Sequence, residues 1–306
     1  MFNKKATNPS PTPTLKDKEM EIFLRKVNMV YKHNAALQKI RQSAGADYTP
    51  PQVSDILKFL ETLAPASMAM DWDNVGLLCG NPSMAVTKVL VALDPFEHVC
   101  KEATVYGAEV IVTHHPLIFR PLTNITNETP LGRNIRSLIN SEISVINAHT
   151  NLDQAPGGVN DVLAKKLGLG KVKTINPKDG VGLLRMGEVP EQPLDAFLKQ
   201  VKTQLQCEGL RYVDGGKPVR KVAVGGGSCA DGMLDALRAG CDTFVTADVK
   251  YNQFWDAHDL GLNLIDAGHF YTENPVVAVL AEKISAAFPE IEVKISETHA
   301  DCMKFY

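Results

Sequence analysis

Imidazole and carboxylate side chains follow apolar, strand-like segments at two distant places in this sequence. His114 and His115 end the segment EVIVTHH, Asp153 comes soon after ISVINAH, and His269 and Glu273 follow LNLIDAG. Open α/β sheets place their ligand sites at the carboxyl ends of strands, and these residues occupy such positions in both halves of the sequence. Imidazole with carboxylate, and without thiolate, is a ligand set suited to zinc, iron, manganese or cobalt.

Each of these residues also has an ordinary structural interpretation. Adjacent side chains of an extended segment point in opposite directions, so His114 and His115 are either one structural and one solvated histidine or the flanks of two ions. Asp153 could cap a helix, and Glu273 could interact favourably with a helix dipole. These roles do not explain why three histidines and two acids collect after strands in both halves. We therefore predict that the five residues bind two divalent metal ions.

Two cations beside two carboxylates leave a positive centre that can hold an anionic substrate and make bound water acidic enough to attack at neutral pH. This chemistry favours metal-dependent hydrolysis of a nucleotide-like or phosphorylated small molecule, with Asp153 as a candidate bridge between the ions. His149 is the remaining histidine of the region. It is either a supporting or proton-transferring residue, or a buried histidine held by hydrogen bonds.

Short β-branched runs alternate with amphipathic stretches from Val89 onwards, a pattern typical of parallel strands connected by helices. Two such units align at a constant offset of 133 residues, which places Lys88, Val89, Val91, Gly107, Val112 and Thr113 opposite Lys221, Val222, Val224, Gly240, Val245 and Thr246. After the third strand the offset becomes 120, and His149-x3-Asp153 matches His269-x3-Glu273. The sequence thus predicts an α/β fold with two similar lobes that arose by internal duplication.

Changes in composition suggest the borders of these parts. Residues 1–48 are predicted to be a mobile N-terminal extension, residues 49–180 the first lobe, residues 181–218 a bridging segment and residues 219–306 the second lobe. The bridging segment reads as a strand, a helix and a second strand, which finish the first lobe or connect the two.

Composition and charge exclude several classes of protein. A net charge of -3 supplies none of the overall basicity on which nucleic-acid binders depend, so a nucleic-acid partner is not expected. The first residues lack the apolar core of a secretory signal, and no window is apolar enough for a membrane span. Six scattered cysteines without a C-x-x-C pair suggest reduced thiols. We expect a cytoplasmic protein.

A glycine-rich turn, Gly225-Gly226-Gly227-Ser228, lies between a predicted strand and a predicted helix. Such a turn can line a phosphate or dinucleotide site with amide groups, although tight backbone packing explains it equally well. Dinucleotide binding at this loop is therefore a third, weaker hypothesis for the function.

Four ordered motifs resemble the NIF-three-like family, also called GTP cyclohydrolase 1 type 2 homologues: DWDNVGLLCG, VTHHPLIF, HTNLD followed by GGVND, and DAGHFYTE. The likeness runs from about residue 49 to the end. It implies two intertwined α/β/α lobes, a homohexameric ring and a dinuclear metal centre. By motif, the metal ligands are His114, His115, Asp153, His269 and Glu273.

The resemblance leaves the reaction open. The cyclohydrolase name implies opening of a guanine ring, but no guanine pocket is recognisable in the sequence, so a small-molecule substrate is expected without being identified. Some members carry an extra domain between the halves, and the roughly 35 residues available here are too few for one. The alternative function is a metal-stabilised hexameric scaffold or regulatory protein without catalysis, whose protein partners the sequence does not identify.

Overall fold

The computed structural model describes residues 49–176 and 182–306, together with Met20, Ala35 and Gln38. The predicted N-terminal extension, residues 1–48, therefore lies almost entirely outside the described residues. Contacts divide the chain into two units, residues 1–50 and residues 51–306, and all elements named below belong to the second. None of the helices in the described ranges is long and apolar enough to cross a membrane.

The first sheet carries the strands that precede the histidine pair. Its strands are β1 (Gly76–Cys79), β2 (Lys88–Ala92), β3 (Val110–Thr113), β4 (Ser144–Asn147) and β11 (Glu292–Ile295). They lie in the order β1-β4-β3-β2-β11, with β1 antiparallel to β4 and the other neighbours parallel.

The second sheet contains the remaining strands. They are β5 (Gly170–Thr174), β6 (Arg185–Gln192), β7 (Arg211–Val213), β8 (Val219–Val224), β9 (Thr243–Thr246) and β10 (Asn263–Asp266). Their order is β5-β6-β8-β9-β10-β7, and β8, β9 and β10 form its parallel centre.

Helices connect the strands and cover the sheets. They are α1 (Val53–Leu63), α2 (Glu97–Tyr106), α3 (Pro130–Asn140), α4 (Thr150–Gln154), α5 (Val159–Lys166), α6 (Leu194–Leu205), α7 (Met233–Arg238), α8 (Tyr251–Leu260), α9 (His269–Glu273) and α10 (Pro275–Ala287). Local sequence sets several starts: the Thr129 hydroxyl caps α3 by accepting from the Gly132 amide at 3.1 Å. Pro275 opens α10, where a missing N–H costs nothing.

Burial explains the apolar character of the central strands. Every residue of β3, β4, β9 and β10 is buried. Parallel strands covered by helices on both faces have no solvent-facing side, so their sequences read as continuous apolar runs rather than alternating ones.

Strand pairing confirms the duplication. Val91 pairs with Val112 in the first sheet, and their counterparts 133 residues later, Val224 and Val245, pair in the second. In the third strands, Asn147 and Asp266 occupy equivalent positions 119 residues apart. Gly268 is the additional residue that makes the offset 120 beyond the strand, and its positive φ of 83° is accessible to glycine. The α/β class and the two-lobe organisation predicted from the sequence are therefore confirmed.

Two strands pair with the sheet of the other lobe and not with the sheet of the segment in which they lie. β5 lies within residues 49–180 but joins the second sheet, and β11 lies within residues 219–306 but joins the first, parallel to β2. The strands of the bridging segment, β6 and β7, both belong to the second sheet, so residues 181–218 do not complete the first sheet. β11 covers an edge of β2 that would otherwise present unpaired backbone groups. The two lobes are thus intertwined by exchange of terminal strands.

Candidate metal centre

The five predicted ligands lie at the carboxyl ends of strands in both sheets. His114 and His115 directly follow β3, and Asp153 lies in α4, the short helix after β4. His269 and Glu273 begin and end α9, the short helix after β10. Their four-residue spacing places both side chains on one face of a single helical turn.

The five side chains converge on one carboxylate oxygen, Glu273 Oε2. This atom lies 2.9 Å from His115 Nε2, 2.9 Å from His269 Nε2 and 3.7 Å from His114 Nε2. Asp153 Oδ1 lies 3.5 Å from His114 Nε2, and the Nε2 atoms of His115 and His269 are 3.2 Å apart. The structure therefore brings together every residue that the sequence proposed as a ligand.

The donor atoms form groups that could each hold a metal ion. His115, His269 and Glu273 form one group in which all ligand atoms lie within 4.8 Å of one another, and His114, Asp153 and Glu273 form a second. His114 Nε2, Asp153 Oδ1 and Glu273 Oε2 are buried without a hydrogen-bond partner among the described residues. An unpaired buried polar atom costs about 1–3 kcal/mol. A cation in each group would supply these atoms with the partner that they lack.

Two aspartates orient the imidazoles that share Glu273. His115 Nδ1 donates to Asp94 Oδ1 at 2.7 Å, and His269 Nδ1 donates to Asp248 Oδ2 at 2.7 Å. A carboxylate that accepts from Nδ1 fixes the ring and leaves the Nε2 lone pair for a metal. Both rings therefore present Nε2 to the Glu273 carboxylate.

The other two histidines are held in the same way. His114 Nδ1 donates to the Ala148 carbonyl at 2.9 Å, and His149 Nδ1 donates to Asp73 Oδ1 at 2.8 Å. The second oxygen of Asp73 accepts from the amide of Thr150 at 3.0 Å and also from its hydroxyl. His149 thus has a fixed, hydrogen-bonded ring, and it forms with His114 and His115 a further group of ligand atoms within 4.8 Å of one another that could hold a metal ion.

The carboxylates shape the electrostatics of the centre. Burial lowers the pKa of both His115 and His269, but the hydrogen bond to Asp94 or Asp248 and the negative charge of Glu273 outweigh it and raise each pKa to about 10. Burial also raises the pKa of the Glu273 carboxyl, yet the surrounding imidazoles hold it well below its ordinary value. The cluster therefore attracts positive charge, and a metal ion has to displace protons in order to enter.

The glycine-rich loop packs against this centre. Its amides donate within the protein: Gly226 to Asn160 Oδ1 at 2.7 Å and Gly227 to Thr272 Oγ1 at 3.0 Å. A Cβ atom on Gly227 would lie 2.1 Å from Glu273 Oε1, and the φ angle of this residue is +61°. Because these two amides are already bonded, the structure favours the interpretation of the turn as tight backbone packing, and the glycines leave room for the side chains of the centre.

The sequence did not reveal the role of the three aspartates that orient the imidazoles, Asp73, Asp94 and Asp248, although Asp73 lies in the motif DWDNVGLLCG. Asp94 ends the segment KVLVALD and Asp248 follows TFVTA, so their positions after strands carried a signal. The internal duplication also bears on these positions. At the offset of 133, Asp248 is aligned with His115, and Gly227 is aligned with Asp94. Equivalent positions therefore have different roles in the two halves.

The fold and the site define a class: a duplicated α/β protein whose strand ends share a cluster of imidazoles and carboxylates. The model of the Duf34/NIF3 (NGG1p interacting factor 3) family matches residues 51–302. The chain therefore belongs to the Duf34/NIF3 family.

Similar proteins agree with this assignment. A GTP cyclohydrolase 1 type 2 homolog of Clostridium perfringens is 38% identical over 260 residues, which cover 83% of this chain and 99% of that protein. A solved hypothetical protein of Staphylococcus aureus has a TM-score of 0.79 at 30% identity, covering 84% of this chain and all of that one. A Bacillus cereus protein described as related to NIF3 has a TM-score of 0.79 at 27% identity, covering 85% of this chain and all of that one.

Proposed function

We propose that this protein binds two divalent cations and hydrolyses a nucleotide-like or phosphorylated small molecule. The observation that carries the proposal is the position of Glu273, whose Oε2 lies within 3.7 Å of three imidazole Nε2 atoms. A buried carboxylate ringed by oriented imidazoles is an arrangement that structural packing alone does not require. Zinc, iron, manganese and cobalt all suit these ligands.

Two groups of donor atoms support the proposal of two ion positions. One cation would be held by His115 and His269, the other by His114 and Asp153, with Glu273 common to both. The sequence suggested Asp153 as the bridging ligand. Asp153 belongs to only one of these groups, so Glu273 is the better candidate for the bridge.

Divalent cations held here would activate water and neutralise the charge of an anionic substrate. The chain itself supplies a group for proton transfer, because Asp73 fixes the His149 ring at the edge of the cluster. The His149 side chain is 16% exposed, whereas His114 is completely buried. His149 lies beside the ligands His114 and His115 and is partly exposed, so it is suited to accept or donate a proton.

Aromatic side chains beside His149 support a substrate with a flat ring. The Trp72 and Phe119 rings lie 6.3 Å and 6.1 Å from the His149 ring, centroid to centroid. Both are partly exposed, Trp72 to 54% and Phe119 to 38%. Exposed aromatic faces next to a cationic centre suit a ring that carries an anionic group, as a nucleotide does.

The test combines metal analysis with a substrate panel. Protein purified without chelator is analysed for metal, and metal-loaded protein is assayed against nucleotides and phosphoesters. We expect two ions per chain and turnover that falls at least roughly 100-fold in His149→Ala without loss of metal. The exposed variant His258→Ala is the matched control. Two bound ions with no hydrolysis anywhere on the panel would refute catalysis.

A second candidate function is a metal-stabilised scaffold. It is favoured by the origin of the ligands, because His114, His115 and Asp153 come from one half of the chain and His269 and Glu273 from the other. Ions bound there would link the lobes. In that case His114→Ala should reduce thermal stability or assembly into the proposed hexamer, measured by light scattering, while the metal-loaded wild type shows no turnover.

A further inference from the structure

We propose that His299, which lies after the last strand, is a positioning residue of the metal centre. It would act through Asp94 on the ligand His115. The inference rests on the proposed metal binding and adds to it a residue far from the ligand motifs in the sequence.

A continuous chain of hydrogen bonds connects His299 to the ligand. His299 Nε2 donates to Asp94 Oδ2 at 2.9 Å, and the other oxygen, Asp94 Oδ1, accepts from His115 Nδ1 at 2.7 Å. Both oxygens of the carboxylate are therefore bonded to imidazole nitrogens, which fixes the plane of the carboxylate. Since the Asp94 bond sets the orientation of the His115 ring, the contact from His299 limits how far that ring can turn.

Burial indicates that this contact is part of the site and not a surface ion pair. The His299 side chain is only 5% exposed and that of Asp94 14% exposed. A surface pair at this distance contributes little, whereas a contact shielded from water holds its geometry. The Phe270 ring packs edge-on against His299 with centroids 5.4 Å apart, which restricts the ring further.

The segment that carries His299 is itself anchored. Glu102 in α2 accepts hydrogen bonds from Ser296 Oγ at 2.6 Å, from the Glu297 amide at 3.0 Å and from Thr298 Oγ1 at 2.8 Å. The Ser296 amide also donates to the Val91 carbonyl at 2.8 Å. The backbone preceding His299 is therefore fixed to the first lobe, next to the strand that leads to Asp94.

The second half has no equivalent support among the residues that the structure describes. His269 is oriented there by Asp248, and the Asp248 side chain is 48% exposed against 14% for Asp94. The rings of His115 and His269 are thus restrained to different degrees. The additional restraint on His115 comes from His299 through Asp94.

The test measures Co²⁺ binding to the full chain after removal of metal, through the visible absorption of Co²⁺, which reports ligand geometry. Removing an outer-shell partner typically weakens metal affinity about 10- to 100-fold, and we expect about tenfold for His299→Ala because it acts one bond further out. The absorption bands should shift. His299→Gln, whose amide can still donate to Asp94, should restore most of the affinity. His258→Ala should match the wild type.

The outcomes separate this inference from the function on which it rests. A wild type that binds no Co²⁺ overturns the proposed function and the inference with it. Tight binding by the wild type together with unchanged affinity and spectrum in His299→Ala overturns the inference alone. If His299→Ala does not fold, His299→Phe keeps the ring volume without the donor, and wild-type binding by that variant overturns the inference equally.

Discussion

Replacing Glu273 by Gln tests whether one carboxylate serves two ions. At free metal about 100-fold above Kd, each bound ion stabilises the folded state by about 2.7 kcal/mol, so two independent ions contribute about 5 kcal/mol. A domain of this size moves by about 2–4 °C per kcal/mol, which gives a rise in Tm of about 10–20 °C when metal is added to the wild type. Because Glu273 belongs to both ligand groups, Glu273→Gln should lose nearly all of that rise.

Variants of single-group ligands sharpen the prediction. Asp153 belongs to one group and His269 to the other, so Asp153→Asn and His269→Ala should each keep about half of the rise and bind one ion per chain. Glu282→Gln, an exposed carboxylate in α10, is the matched control and should behave as the wild type. The assay is differential scanning calorimetry with and without metal, together with metal analysis. Two ions of wild-type affinity in Glu273→Gln would refute the shared-ligand geometry.

Three further predictions follow from other contacts. Gly227→Ala should abolish metal uptake, since its Cβ would lie 2.1 Å from Glu273 Oε1, and metal analysis of the folded variant measures it. Arg185→Lys should lower the free energy of unfolding in urea by about 2 kcal/mol, because lysine cannot reproduce the buried guanidinium contact to Asp161 at 2.6 Å. For Glu102, burial raises the pKa, but hydrogen bonds outweigh it and lower the pKa from 4.5 to about 2. Its contribution to stability is therefore complete above pH 4.5 and lost as the pH falls towards 2, so the difference in unfolding free energy between wild type and Glu102→Gln should shrink over that range.

The sequence was sufficient for the class of fold and for the five converging side chains. Buried parallel strands need apolar runs, and a duplicated ligand pattern after equivalent strands predicts that the carboxyl ends of strands from both halves contribute to one site. The metal ions themselves, the hydrolysis and the hexamer stay predictions.

Other features depend on tertiary contacts that no local pattern contains. The strand β11 is short and partly exposed, so the hydrophobic pattern of its sequence does not predict that it pairs with β2. His299 lies 205 residues from Asp94, and only the path of the chain after β11 brings them together. Likewise, the shared role of Glu273 depends on ångström-scale distances, which spacing along the sequence does not fix.

The pairing of β11 with β2 has a consequence for biosynthesis. While a ribosome makes this chain, the outer edge of β2 stays open until Ile295 has left the exit tunnel, about 200 residues after β2 itself has emerged. An uncovered strand edge is a template for wrong pairing with other nascent chains. We expect the first lobe to be most vulnerable to aggregation during translation, and a chaperone that shields it at that stage would raise the yield of folded protein.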